Sequence, residues 1–422
     1  MPDRILDELD LEREDFIPAA EDIDENYSLT EYFKDIPLLK PDVEDRIEKI
    51  QERLAIDREV ILDIFTALLH SHVVLEGPPG TGKTELAILM AEMFFNCNVH
   101  VVTANEDWST FDVIGGLNVG VEDGHEVVRP NNGHFSHSVI ECCKQIARKI
   151  YSKEGHEEIE GEPQGLWLVI DEISRGRPDR YFGELFTILG NPDKADFYLG
   201  FQDKPQNKVM YLPRKYRILG TLNSVDKEFV FEMSQALSRR FQFIHIGVPQ
   251  RVGAQITFTE ETALVTRKAL RDVRIKRLVP DEIPESMLLI ESREGGVAPN
   301  DTTPAGRTVA VTTRLIEFIR YEEDSPGELA VGIEVGTATF IDLIRAFLTR
   351  AYIASTQDDR VFTGALDWAI ASRLVPQLEG ADPNKVDRIR KFLAGELLPE
   401  EGTRNPFPRS CVKLDSILRG AI

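Results

Sequence analysis

The chain has 422 residues, of which 42% are hydrophobic and 29% charged, and its 49 Lys and Arg against 72 Asp and Glu give a formal net charge of −23. This composition is ordinary for a globular protein, and the length predicts two or three domains with a substantial core. So negative a chain disfavours non-specific binding to nucleic acid or to an anionic membrane. We therefore expect no membrane contact, and nucleic acid only through partner proteins or a local channel.

The cysteines indicate a reducing compartment. Cys97, Cys142, Cys143 and Cys411 are too few and too scattered for a disulfide framework, and they include no Cys-x-x-Cys pair typical of a zinc site. The first residues lack a basic region followed by an apolar run, and no stretch approaches the roughly 18 apolar residues of a membrane span. We expect a cytoplasmic protein.

The first elements in chain order are an acidic segment and two helices. Residues 1–26 carry eleven carboxylates and two arginines, which predicts either a solvated arm or a docking strip for a basic partner. From residue 41 the spacing of apolar residues predicts two amphipathic helices, one through Val43, Ile47 and Ile50 and one through Ile61 and Leu68.

An alternation of strands and helices follows. Apolar runs at 73–75, 99–102, 166–170 and 216–221 predict strands, and a helix is predicted at 85–95. This order indicates a mostly parallel sheet with helices on both faces. Two further segments, 111–130 and 197–212, have turn residues between β-rich arms and predict projecting hairpins.

After residue 249 the pattern becomes helical. Helices are predicted at 313–321, 338–355, 361–378 and 383–394, with a Gly, Pro and Thr-rich insertion at 295–306. We therefore predict an acidic arm at 1–40, an α/β domain at 41–249 and a helical domain at 250–422.

A phosphate-binding loop lies between the first strand and its helix. The sequence matches G-x-x-x-x-G-K-[ST] in full, and the flanking strand and helix give it the context in which this motif is meaningful. Backbone N–H groups of such a loop surround phosphates, Lys83 reaches the β and γ oxygens, and the Thr84 hydroxyl ligates Mg²⁺. The predicted nucleotide-binding residues are Gly77, Pro78, Pro79, Gly80, Thr81, Gly82, Lys83, Thr84 and Glu85.

Two adjacent carboxylates, Asp171 and Glu172, end the predicted strand at 166–170. The last residues of a parallel strand lie at the carboxyl edge of the sheet, where ligands of open α/β sheets bind. We expect Asp171 to hold Mg²⁺, directly or through water, and Glu172 to act as the general base on an attacking water.

The motifs together resemble those of AAA+ ATPases of the dynein-related and MoxR group, and most resemble the McrB-like motor subunit of McrBC-type restriction systems. The resemblance rests on five segments in order: the loop at 77–84, then 170–175, 182–185, 220–227 and 236–241. It is strong over about residues 60–250 and weaker beyond. It implies a P-loop NTPase fold followed by a helical lid.

Further roles follow from this resemblance. Asn223, at the end of the strand that resembles sensor 1, is suited to orient water together with Glu172, because an amide can donate and accept hydrogen bonds; a buried structural role is the alternative. Arg239 and Arg240 fall in the segment that resembles the arginine finger, which reaches the γ-phosphate of a neighbouring subunit. One of the pair could form surface ion pairs instead. We favour Arg240 as the finger.

Arg314 is the predicted sensor-2 residue. Thr312, Thr313 and Arg314 are predicted to open a helix, with a threonine as N-cap and the arginine in the first turn. A cation there is unfavourable for the helix dipole unless an anion faces it, which favours a phosphate contact in cis or in trans.

The resemblance implies a homo-oligomeric ring, most often a hexamer, that uses ATP and Mg²⁺, with GTP also possible. Two classes of function stay open. In one, the ring is the motor of a McrBC-like defence complex with a nuclease-like partner; in the other, it is a MoxR-like chaperone that remodels a protein client. In this group, hairpins such as those predicted at 111–130 and 197–212 line a pore or grip a partner, and edge decoration is the alternative.

Overall fold

The computed structural model describes residues 42–122, 125–151, 163–190, 197–198, 209–210, 212–223, 239–249, 258–275, 278, 283–291, 296–321, 331–354, 357–398 and 405–420. The predicted acidic arm at 1–40 lies outside these residues, as do 224–227 and 236–238 of the motif segments. Two compact units divide the chain. The first comprises Met1–Ile50, Arg58–Gly77 and Lys83–Ile246, and the second comprises Gln51–Asp57, Pro78–Gly82 and Gly247–Ile422.

The first unit contains a five-stranded parallel sheet. Its strands are β1 (His72–Gly77), β2 (Asn98–Thr103), β5 (Leu166–Asp171), β8 (Ile218–Asn223) and β9 (Phe241–His245), in the spatial order β2-β5-β8-β1-β9. Successive side chains of a strand point to opposite faces. Because Val73, Val74 and Leu75 of β1 are all completely buried, as are 167–170 of β5, both faces of the sheet are covered. The predicted parallel sheet is confirmed.

The helices of this unit begin with the two predicted from apolar spacing. They are α1 (Val43–Gln51), α2 (Arg58–His70), α3 (Lys83–Leu89, continued by a π-helical turn at Met90–Phe94), α4 (Thr110–Val113), α5 (His134–Tyr151), α6 (Pro178–Phe182) and α7 (Phe186–Gly190), with 3-10 turns at Ile173–Arg175 and Gly183–Leu185. The buried face of α5 joins the sheet core through Phe135, Val139 and Cys142.

A long antiparallel ribbon also belongs to the first unit. Strands β3 (Gly115–Glu122) and β4 (His125–Asn132) pair along their whole length, with their turn at 123–124 outside the described residues. The predicted start at 111 was wrong, because a capping box between Ser109 and Asp112 begins α4 there. Of the hairpin predicted at 197–212, the described part is the pairing of β6 (Phe197–Tyr198) with β7 (Val209–Met210).

The second unit is mainly helical, as predicted. It contains α8 (Phe258–Ile275), α9 (Pro304–Arg320), α10 (Thr337–Ile353), α11 (Asp359–Ala369), α12 (Pro383–Lys391) and α13 (Pro408–Leu418), shorter turns at Glu285–Met287, Ile370–Leu374, Val375–Leu378 and Phe392–Glu396, and an antiparallel ribbon of β10 (Leu289–Glu291) with β11 (Val297–Pro299). Their apolar faces form one core that includes Val309, Phe340 and Leu366.

The start of α9 corrects two predictions. The helix begins at Pro304 and is capped by the Thr303 hydroxyl, which accepts the Gly306 N–H at 3.0 Å. The segment predicted as an insertion at 295–306 is therefore shared between β11 and this helix. The hydroxyls of Thr312 and Thr313 donate to carbonyls four residues earlier, which lets them continue a helix that they were predicted to open.

Among the helices within the described ranges, none is both long enough and apolar enough to cross a bilayer.

Candidate nucleotide site

The carboxyl ends of the central strands bring the predicted catalytic residues of the first unit together. Gly77, the last residue of β1, is in register with Asn223, the last residue of β8, and Thr103 of β2 is in register with Asp171 of β5. Adjacent strands lie about 4.8 Å apart. The loop, the paired carboxylates and the asparagine therefore share one edge of the sheet.

The phosphate loop begins at Gly77, a position that only glycine can occupy. Gly77 has φ of +154°, and a Cβ atom on it would lie 2.1 Å from the carbonyl oxygen of Ile246. Lys83 then begins α3 with its side chain buried, and its Nζ donates to the Gly77 carbonyl at 3.0 Å. The ammonium group is thus held at the base of the loop, at the positive end of α3. Glu85 is exposed in the first turn of the same helix.

Thr84 and Asp171 form a donor set that suits Mg²⁺. The Thr84 hydroxyl donates to Asp171 Oδ1 at 2.5 Å, and the Thr221 hydroxyl donates to the same oxygen at 2.6 Å. Within the described residues, no cluster of three or more His, Cys, Asp or Glu side chains could hold a metal ion. One carboxylate and one hydroxyl fit an ion that takes its remaining ligands from water and substrate phosphates, as Mg²⁺ does.

Glu172 is held in an unusual backbone conformation beside Asn223. Its φ of 53° and ψ of 51° are left-handed, which is uncommon for a residue with a Cβ atom and is characteristic of functional turns. The Glu172 N–H donates to the Thr221 hydroxyl at 2.9 Å. Its Oε1 accepts from Asn223 Nδ2 at 3.3 Å, and its Oε2 forms an ion pair with Arg175. This carboxylate therefore has an amide and a guanidinium as neighbours.

Sequence reasoning missed Thr221 and Arg175. Thr221 contacts both carboxylate residues, and a signal existed, because it lies two residues before Asn223 in β8 and so shares its face. Arg175 follows Glu172 by three residues in a 3-10 turn, in which residues three apart face the same way. The turn was not evident from the sequence.

The loop rim, Pro78–Gly82, belongs to the second unit and contacts the start of α10. The Ala338 N–H donates to the Gly80 carbonyl at 2.8 Å, and the Thr81 hydroxyl donates to the Pro78 carbonyl at 3.1 Å. A Cβ atom on Gly336, the N-cap of α10, would lie 2.1 Å from the Pro79 carbonyl oxygen. Gly336 was not among the predicted site residues, although this approach requires the absence of a side chain.

The predicted finger residues lie at the opposite edge of the sheet. Arg239 and Arg240 immediately precede β9, whose first residue, Phe241, is in register with His72 at the start of β1. At about 3.3 Å per residue, the two ends of β1 are roughly 16 Å apart. Arg240 is half-buried and its Nε donates to the Phe186 carbonyl at 3.0 Å, whereas Arg239 is exposed. The structure does not bring them to the loop of their own chain.

The edge that carries these arginines has its own cavity of about 730 Å³. In its wall, burial lowers the pKa of Arg217 to about 10, and the guanidinium donates to the carbonyls of Leu69 and Tyr216 at 2.8 Å each. Burial, together with the charge of Arg217, lowers the pKa of His72 to about 3. His72 is therefore neutral, and its Nδ1 accepts the Ile218 N–H at 3.0 Å.

Arg314 lies in the interior of α9 and not in its first turn. Its Nη1 donates to the Leu397 carbonyl at 3.3 Å, and its guanidinium lies over the Phe392 ring, 5.7 Å from the centroid. These contacts are all within the second unit. Its predicted contact with a γ-phosphate stays a prediction.

Part of the chain matches a known protein family. Residues 72–241 match the family model of the AAA domain of the dynein-related subfamily. No curated protein matches the chain. Among solved structures, one mutant of RuvB from Thermotoga maritima is 14% identical, with 83% of this chain and 87% of that chain covered and a TM-score of 0.38. A second mutant of the same protein is 13% identical, with 86% and 87% covered and a TM-score of 0.37.

Proposed function

We propose that the chain hydrolyses ATP with Mg²⁺ in a homo-oligomeric ring, in which an arginine of one subunit completes the site of the next. The observation that carries this proposal is the separation of the two halves of the machinery. The loop, Asp171 and Glu172 lie at the carboxyl edge of the sheet, and Arg240 lies at the amino edge. A second copy of the chain can supply the arginine that this chain does not bring to its own phosphate loop.

The residues at the carboxyl edge have complementary tasks. Lys83 and the backbone of the loop bind the β and γ phosphates, and Thr84 with Asp171 would hold Mg²⁺, which neutralises phosphate charge when bound. Glu172 accepts the proton of the attacking water, and Asn223 keeps the Glu172 carboxylate and that water oriented. The Glu172–Arg175 ion pair holds the base until substrate is in place.

Arg240 acts on the γ-phosphate of a second copy. A planar guanidinium stabilises the charge that spreads over the transferring phosphoryl group. Its hydrogen bond to the Phe186 carbonyl fixes the side chain at the edge from which it must reach outward. Arg239 is the alternative finger, and Arg314 is proposed to contact the phosphate from the lid. The hexameric state follows from the family resemblance.

We propose that the ring drives a McrBC-like defence complex with a nuclease-like partner, because the order of the five motif segments most resembles that subgroup. The domain organisation proposed with it is an acidic arm, an AAA+ domain to residue 249 and a helical lid. A MoxR-like chaperone is the second candidate. It is favoured by the ribbon of β3 and β4, on which Leu117, Val119 and Val128 share one face and are 55%, 61% and 51% exposed.

The shared site predicts that specific activity rises with protein concentration as the ring assembles. Arg240→Ala should bind nucleotide normally and lose on the order of 10³-fold in hydrolysis, the scale of a lost arginine finger. Arg240→Lys keeps the charge without the planar fork and should recover little. A wild-type rate that does not depend on concentration, with an active Arg240→Ala protein, would exclude the mechanism. ATP and GTP are compared in the same assay.

The two candidate functions can be distinguished by the partner protein that stays bound to the ring. A Glu172→Gln protein loaded with ATP should retain its partner, because the bound state persists. Recovery of a nuclease-like subunit at fixed stoichiometry would favour the defence motor. Stimulation of wild-type ATPase by an unfolded protein, without such a subunit, would favour the chaperone.

A further inference from the structure

A groove of about 840 Å³ opens in the second unit, and none of its described lining residues is among those assigned above. The end of α10, one face of α11 and the start of α13 form its walls. Arg350, Arg360 and Arg409 line it, and all three are exposed. Within the described ranges, none of these guanidinium groups forms a salt bridge. Arg350 lies over the Trp368 ring at 4.9 Å from the centroid, which fixes its direction without neutralising it.

The two carboxylates in the groove do not balance these charges. Asp359 receives both arms of Arg307, with Nη2 at 2.8 Å and Nε at 3.0 Å. Asp367 is buried and accepts the N–H groups of Arg409 and Ser410 at 3.0 and 2.9 Å. The oxygens of both acids are engaged in these hydrogen bonds, and within the described residues neither acid forms a salt bridge with Arg350, Arg360 or Arg409.

Apolar surface accompanies the cations. Ile353 is 77% exposed, and Leu398 and Pro406 lie in the same wall. Gly364 leaves the floor open, since a Cβ atom on it would meet no atom within 4 Å. Guanidinium groups pair bidentately with carboxylates, and apolar walls accept aliphatic side chains between them. The combination fits an extended segment in which acidic and apolar residues alternate.

We infer that this groove is a docking site for an acidic, partly apolar segment of a partner protein. Charge complementarity selects that occupant, because no acid among the described residues forms a salt bridge with the three arginines. A nucleic acid strand fits less well, since no described lining residue of the groove is aromatic to stack a base. The inference does not depend on the proposed ATPase cycle.

The test is fluorescence anisotropy of the full chain with a labelled peptide of roughly a dozen residues in which Glu alternates with Leu and Ser. A second peptide replaces each Glu with Gln. The acidic peptide should bind at least about tenfold more tightly than the amide peptide, and its affinity should fall as salt rises. The double variant Arg360→Glu, Arg409→Glu should lose at least about tenfold in affinity, whereas Arg419→Glu, at an exposed arginine outside the groove, should change it little.

A second variant separates binding from folding. Gly364→Leu fills the floor from a helical position with open space, so its thermal midpoint should not fall while peptide affinity drops at least about fivefold. Equal binding of the acidic and amide peptides, or unchanged affinity in both groove variants, would overturn the inference. So would a single-stranded oligonucleotide that binds, is lost in the same variants and leaves the acidic peptide unbound.

Discussion

Gly336 carries a steric constraint that its sequence position does not reveal. It is the N-cap of α10, and its Cα packs against the rim of the phosphate loop so closely that a methyl group would overlap the Pro79 carbonyl. Gly336→Ala must therefore displace the rim. Forcing a methylene into a packed contact costs typically about 1–3 kcal/mol, so we expect nucleotide affinity to fall about 5 to 150-fold.

Titration with a fluorescent ATP analogue measures this loss. The matched control is Gly395→Ala, where an added Cβ atom would meet nothing within 4 Å. An affinity for Gly336→Ala equal to that of the control would show that the rim tolerates displacement.

Substitutions of Lys83 and of Glu172 should affect nucleotide binding and hydrolysis differently. Lys83→Ala removes the buried ammonium beside the Gly77 carbonyl, so nucleotide binding should be abolished. Glu172→Gln keeps the side chain's shape and its contact with Asn223, so binding should persist while hydrolysis falls about 10²-fold or more. Equilibrium binding and single-turnover hydrolysis distinguish the two variants. Wild-type turnover by Glu172→Gln would mean that another group is the base.

At the residue scale, the sequence predicted the groups whose spacing is fixed by chemistry. The loop from Gly77 to Thr84 and the pair after β5 could be recognised because phosphate and Mg²⁺ binding demand those residues in that order. Thr221 was not assigned although it lies two residues before Asn223, because its contact with Asp171 depends on the pairing of β5 with β8, which the sequence does not state. Arg314 was misplaced since threonines that cap helices also continue them when they donate to earlier carbonyls.

At the scale of elements, the amino ends of β1 and β8 depend on a neutral histidine. His72 is buried, accepts the Ile218 N–H, and has its pKa lowered to about 3 from an ordinary value near 6.5. Because the folded pKa lies below the unfolded one, the neutral ring contributes its full stability above about pH 6.5. That contribution is lost as pH falls from 6.5 towards 3, at about 1.4 kcal/mol per pH unit.

Urea unfolding between pH 7 and pH 5 measures this slope. His72→Asn retains an acceptor for the Ile218 N–H and removes the titration, so its unfolding free energy should decline less steeply on acidification than that of the wild type. The carboxylates and the other histidines are the same in both proteins, so the effects of their titration on the unfolding free energy cancel in the difference. Parallel pH profiles would show that His72 protonates in the folded state without cost.

Helices α8, α9 and α10 are joined by a buried ion pair. Arg320 donates to Glu261 at 2.6 and 3.1 Å, both side chains are fully buried, and the Thr337 hydroxyl donates to Glu261 at 2.7 Å. Glu261→Gln leaves a buried guanidinium without its counter-charge, which should lower the unfolding free energy by about 3–5 kcal/mol.

The exposed pair Arg267–Glu285 supplies the control for that ion pair. Glu285→Gln should cost at most about 1 kcal/mol, because solvent screens the charges. Urea denaturation of the two variants gives the comparison. A loss for Glu261→Gln as small as that for Glu285→Gln would mean that water or another carboxylate compensates Arg320.

The sequence predicted elements well where burial imposes a long pattern. Strands buried on both faces, such as β5 and β8, appear as continuous apolar runs, and the amphipathic α2 has regular spacing. The ribbon of β10 and β11 was missed because strands of three residues give no period to detect. The boundary of α4 was missed because its capping box at Ser109 lies just before the segment 111–130 that was predicted as a hairpin.

At the scale of the whole molecule, the proposed shared site requires that copies meet, because the phosphate loop and Arg240 lie at opposite edges of one sheet. The chain has net charge −23, so long-range repulsion opposes association unless specific contacts offset it. Raising ionic strength screens that repulsion and would also weaken the proposed contact of Arg240 with phosphate. Assembly and catalysis must therefore be measured separately, which a mixture of two inactive variants allows.

Mixing Arg240→Ala with Glu172→Gln should restore hydrolysis if the finger acts in trans. An Arg240→Ala subunit keeps an intact Glu172, and a Glu172→Gln neighbour supplies an intact Arg240, so about a quarter of interfaces in an equal, random mixture are complete. Arg240→Ala mixed with Lys83→Ala should be rescued in the same way. Glu172→Gln mixed with Lys83→Ala should stay inactive, because neither subunit has a working site. If mixed rings form, as native mass spectrometry can show, and no pair regains activity, Arg240 is a structural residue that holds the Phe186 carbonyl, and the site is complete within one chain.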